Sequence, residues 1–145
     1  MQYESVAPIA HVIQLSVAPV FLLTGIAGFL NVLAGRLARI VERGRHLERS
    51  ASTDESPQRA PVPDQLRTLA RRARWINWAI SLCVTSAILV ASVVMALFAS
   101  AFWGRDSTSV VAGLFITAML ALIGGLVFFL REIYLATSSL RIGVH

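Results

Sequence analysis

A chain of 145 residues that is 56% hydrophobic, with a positive mean hydropathy, has room for one domain, and its composition makes that domain a membrane bundle rather than a water-soluble fold. The formal charge of +5 resides on 13 basic residues, all of them arginine, a usage that points to a GC-rich bacterial genome. In a soluble protein this balance would suggest nucleic acid, but the arginines cluster beside the hydrophobic runs, which excludes that reading here.

Three stretches carry no formal charge: Ser5 to Gly35, Trp75 to Gly104, and Ser107 to Leu130. Each exceeds the roughly 20 apolar residues that carry a helix across a bilayer. They predict transmembrane helices over about 9–34, 75–103 and 109–130. The first is preceded by Glu4 and is about twice as long as the apolar core of a signal peptide, so it is expected to be an uncleaved anchor. Pro8 suits its start, and Pro19 removes a backbone hydrogen bond within it and favours a kink.

Beyond Arg36, the apolar residues Leu37, Ile40, Val41 and Leu47 continue a helical stripe. Leu66, Leu69, Ala70, Ala73 and Ile76 form a second stripe, with Asp64 as its expected N-cap. Residues 36–74 are therefore expected to form an antiparallel hairpin of helical extensions, closed by a mobile, proline-rich loop over 50–63. Ten arginines (36, 39, 43, 45, 49, 59, 67, 71, 72 and 74) lie in this connection, against Arg105 alone in the second. Arginine-rich short loops stay cytoplasmic, so the N-terminus is expected outside and the C-terminus in the cytoplasm. Trp78 and Trp103 are 25 residues apart, roughly 37 Å of helix, which sets their indoles at opposite headgroup layers. Cys83, the one cysteine, falls within the second span and forms no intramolecular disulfide. The fold class is all-α, a three-helix transmembrane bundle with helices 1 and 2 extending into the hairpin. No internal repeat, strand pattern or long heptad array is present.

The spans carry small and polar residues in strips. Glu4, Ala7, His11, Gln14, Ala18 and Gly25 share one side of the first helix, and Thr24, Gly28, Asn31 and Gly35 a neighbouring strip. Asn77, Ser81, Thr85 and Ser92 share a face of the second, and Gly113, Thr117, Ala121 and Gly124 one of the third. Close helix packing with interhelical hydrogen bonds accounts for most of these, including an Asn31–Asn77 bond at matching depth. His11 and Gln14 fit either headgroup contact or a pore-lining role. Arg36, Arg39, Arg43, Arg71 and Arg74 fit a topology signal, an inner basic collar, or contacts to anionic headgroups.

His11, His46 and His145 are scattered over both sides of the membrane, and no nucleotide-binding or hydrolase motif occurs. No enzyme activity, metal or cofactor is expected. The runs Ile13 to Ile26, Asn31 to Arg43, Arg71 to Ile80 and Leu130 to Gly143 resemble the bacterial family designated domain of unknown function 2721. The resemblance covers nearly the whole chain apart from the proline-rich loop and the outer turn. It implies a small three-helix integral membrane protein and supplies no catalytic residue. Two functions fit: a homo-oligomeric pore or transport-type protein of the bacterial inner membrane, with helix 1 lining the path, or a structural or regulatory scaffold whose basic hairpin binds anionic lipid or a partner protein. Self-association and an anionic bilayer are the expected partners.

Overall fold

The computed structural model describes the backbone of residues 6–53, 62–103 and 108–138, and the side chains of 9–49, 67–103 and 108–134. The described chain is all α: helices α1 (Val6–Thr53), α2 (Val62–Trp103) and α3 (Thr108–Ser138), with no strand among the described residues. All three are long and apolar enough to cross a membrane. At 1.5 Å per residue, the 48 residues of α1 and 42 of α2 reach about 72 and 63 Å, well past the roughly 30 Å of a hydrocarbon core. The 31 residues of α3 exceed it by far less.

The helix ends differ from the expected ones in ways that local chemistry explains. Ser50 to Thr53 continue α1 and Val62 and Pro63 begin α2, which leaves only 54–61 of the expected mobile loop, and these lie outside the described residues. Pro63 is the second residue of α2, where its missing N–H would have no intrahelical partner. Asp64 consequently lies inside the first turn instead of capping it. Pro19 is buried within a helix that runs through it.

The contacts divide into two compact units, one of residues 1–30 with 82–124 and one of 31–81 with 125–145. In the first unit, Leu82 faces Gly124 and the buried Ser86 donates from Oγ to the Ala118 carbonyl at 2.8 Å, so α3 runs against α2. In the second, Trp75 meets Phe128 and Arg131, again antiparallel.

Burial along each helix alternates at three and four residues. On α2 the buried positions are Ile76, Ala79, Cys83, Ser86, Val90 and Val93, and on α1 Ser16, Pro19, Ile26 and Leu33 continue through half-buried Leu37, Ile40, Gly44 and Leu47. A mean period of 3.5 is the signature of helices packed side by side at small crossing angles. Val41 falls off this seam and is exposed, while Gly44 lies at a seam position where a Cβ would have nothing within 4 Å.

Only 17%, 22% and 11% of the most apolar stretch of the three helices is buried. Phe21, Met95, Phe102 and Leu130 stand open. Water does not tolerate apolar surface of that extent on a lone soluble domain, whereas lipid does.

Candidate functional site

The unit of residues 31–81 and 125–145 gathers the boundary between apolar and charged sequence on all three helices. Arg36 is the first charge after the apolar run of α1, Arg74 the last before that of α2, and Arg131 the first after that of α3. Helical periodicity sets Arg36 on the flank of the α1 seam beside Leu33 and Leu37, which aims it at α3. There its Nη1 donates to Oε2 of Glu132 at 2.5 Å. Glu132 is 3% exposed, and the side chain of Arg36 33%. The Arg36 guanidinium also lies over the Phe129 ring, 5.3 Å from its centroid.

Taking a carboxylate this far out of water costs several kcal/mol unless it is paired and hydrogen-bonded. Arg36 supplies both the charge and the donor. A planar guanidinium can bond a carboxylate through its edge while its face rests on an aromatic ring, and Phe129 occupies that face.

Beside this pair lies a second assembly. Trp75 packs on Phe128 with ring centroids 5.5 Å apart, and Arg131 extends its guanidinium over Trp75 at 5.0 Å. The two contacts hold the start of the α2 apolar run level with the end of that of α3.

The other expected site residues are dispersed. Arg39 is exposed and donates from Nε to the Gly35 carbonyl on its own helix at 3.2 Å, and Arg43, Arg71 and Arg74 are exposed. Arg36, expected with them in an inner basic collar, is tied to α3 by Glu132. Asn31 and Asn77 are both exposed, and no hydrogen bond joins them among the described residues. His11 and Gln14 are exposed, while Glu4 lies outside the described residues.

Several hydroxyls expected to bridge helices turn back instead onto their own backbone: Thr24 to Val20, Ser92 to Ile88 and Thr117 to Gly113. Ser86 does bridge, from α2 to α3. Of the small residues, Gly124 packs closely, since a Cβ there would stand 3.3 Å from Cδ1 of Leu82. Gly25, Gly28, Gly35 and Gly113 have nothing within 4 Å of that position.

Glu132 is the residue that the sequence reading missed. Its signal was present, because it is the sole carboxylate in the chain after Asp106 and stands just beyond an apolar run. An acid in that place must pair, and the basic residues at the matching ends of the other helices were the available partners.

A family model described as "Protein of unknown function (DUF2721)" matches residues 16–142. No curated protein and no solved structure matches the chain.

Proposed function

The chain belongs to the DUF2721 family, which carries no assigned activity, and from the geometry of its own residues we propose that it is a homo-oligomeric, multi-pass protein of the bacterial inner membrane in which α1 lines a pore or transport path. One observation carries this reading. The side of α1 turned away from its buried seam is its most polar side within the apolar run: His11, Gln14, Thr24, Gly25, Gly28, Asn31 and Gly35 are all exposed on the single chain.

A lipid-facing helix side is ordinarily its most apolar one, and polar side chains in a membrane ordinarily face protein or water. Copies that meet around their first helices would give this side both. Arg39 and Arg43, exposed just beyond the run, would then border the cytoplasmic mouth and favour anions there. The orientation, with the N-terminus outside and the C-terminus in the cytoplasm, rests on the arginine excess of the first connection.

The test is conductance in a reconstituted bilayer. His11→Leu or Arg39→Gln should change conductance or ion preference, whereas Leu126→Val on an exposed apolar face of α3 should not. Protein that stays electrically silent under varied voltage, pH and tension, and that is monomeric in lipid nanodiscs, overturns the path.

The second reading is a structural or regulatory scaffold that holds anionic lipid or a protein partner. It is favoured by the apolar character of the chain's own interior, where Ser16, Ser86 and Glu132 are the buried polar residues among those described, each with a hydrogen bond.

A further inference from the structure

We propose that the surface where α2 and α3 meet around Trp75 is a binding site for the headgroup of an anionic phospholipid. Arg71, Arg74, Trp75 and Trp78 follow the spacing i, i+3, i+4, i+7 and so form one face of α2, turned away from the buried Ile76 and Ala79. Arg131 joins that face from α3, its guanidinium lying over the Trp75 ring at 5.0 Å, and Phe128 backs the same ring at 5.5 Å. Trp75 is half-buried, so the stack is anchored, while Arg71, Arg74 and Arg131 are exposed and Trp78 is 60% exposed.

The charge on this surface is uncompensated. Among the described residues none of the three arginines is ion-paired, and the adjacent carboxylate, Glu132, is engaged by Arg36. Arg71 and Arg74 thus share the helix face of Trp75, and Arg131 lies over its ring, where two helices pass from apolar to charged sequence, the level at which phosphates lie in a bilayer. A guanidinium presents a planar fork that matches a phosphate, and stacking on Trp75 reduces the freedom Arg131 loses on binding. The open Trp78 indole suits the glycerol and carbonyl layer just below. Basic pockets between helices at the cytoplasmic face are the setting in which anionic headgroups are held.

This inference rests on the bilayer reading of the three helices and specifies the lipid of the scaffold reading, but is independent of whether α1 lines a path. The full chain is reconstituted into phosphatidylcholine vesicles containing a minor fraction of phosphatidylglycerol. Tryptophan quenching is then compared between two preparations, one with bromine on the phosphatidylglycerol chains and one with bromine on an equal fraction of phosphatidylcholine. Phosphatidylglycerol should quench in clear preference, and each of Arg131→Gln and Arg71→Gln should weaken that preference roughly fivefold. Arg49→Gln, an exposed change farther along α1, should leave it intact. Arg131→Lys, which keeps the charge and loses the stacked plane, should give an intermediate value.

Incorporated wild-type protein that quenches equally with both lipids overturns the site and leaves the surface to an acidic protein segment. Full preference retained by the Arg71→Gln/Arg131→Gln double variant also overturns it, because the attraction would then be the diffuse field of all the arginines. Protein that fails to enter the vesicles would instead overturn the bilayer reading itself.

Discussion

Arg36 and Glu132 stand 96 positions apart in the sequence and 2.5 Å apart in the structure, and their burial is unequal. Loss of Arg36 strands a carboxylate that is 3% exposed, whereas loss of the Glu132 charge leaves a guanidinium with a third of its side chain already open and a ring beneath it. Arg36→Leu is therefore expected to destabilise the protein by about 3 kcal/mol, the low end for breaking a buried pair because Arg36 is one third open, and Glu132→Gln by appreciably less. The double change Arg36→Leu/Glu132→Leu should recover most of the loss, since a buried pair replaced by packed apolar groups is often neutral. Thermal unfolding of the four proteins in one detergent checks this, and equal effects of the two single changes would show that the pair is solvated.

Ser86 and Gly124 make a separate test in the other unit. Ser86→Ala removes the 2.8 Å bond to the Ala118 carbonyl and should cost about 0.6 kcal/mol, up to about 1.7. Gly124→Ala should be mild, because the atom it meets is the mobile end of Leu82. Gly124→Leu overfills the contact and should cost about 1–3 kcal/mol. Gly113→Leu, at a position with nothing within 4 Å, should leave the unfolding temperature of the isolated chain unchanged. Comparable losses at both glycines would contradict the packing described.

The number and type of helices were legible because uncharged runs of this length admit one physical solution in lipid, a fully hydrogen-bonded helix. Which side of each helix turns inward was not. Apolar residues surround the spans on every side, so the seam is defined by size and fit, and it includes Ser16, Pro19, Ala79, Cys83 and Ser86 beside the large aliphatic residues. No heptad count of hydrophobic residues reveals such a seam. The same limit explains the small-residue strips: Gly124 and Gly28 read alike in sequence, yet a Cβ at the first would meet Leu82 and at the second would have nothing within 4 Å. Arg36 could be placed at the charged end of α1, but its partner depended on the rotation of α3, which sets Glu132 inward and Arg131 outward.

The open strip of Thr24, Gly28, Asn31 and Gly35 gives a prediction for self-association. Without a Cβ at 28 and 35, a second backbone can approach, and the Asn31 amide can then bond across the contact. Asn31→Leu and Gly28→Leu should each weaken association roughly threefold or more, read as Förster transfer between labelled copies at fixed protein-to-lipid ratio. Leu120→Ala on α3 serves as the exposed control. Transfer unchanged by both α1 substitutions would remove α1 from the interface.

Ile40 and Val41 are neighbours of similar chemistry on the extension of α1, but Ile40 is half-buried and Val41 is 41% exposed. Ile40→Asp should lower the unfolding temperature clearly more than Val41→Asp, because only the first places a carboxylate against the seam through Leu37, Gly44 and Leu47. The penalty should reach a few kcal/mol at most, since a half-buried acid retains some water. Equal destabilisation by the two would mean that the extension of α1 is a solvated arm.

The proposed orientation rests on the ten arginines between the first two apolar runs and can be tested without any functional assay. In a Cys83→Ser background, single cysteines introduced as Ser52→Cys and Ser107→Cys lie in sequence on either side of the second apolar run. A membrane-impermeant maleimide applied to intact cells with a permeable outer layer should label only Ser107→Cys, and Ser52→Cys should react once the inner membrane is opened. Labelling of Ser52→Cys alone would invert the protein. The Arg71, Arg74 and Arg131 surface would then face the outer leaflet, and Arg39 and Arg43 would border an outer mouth instead of a cytoplasmic one.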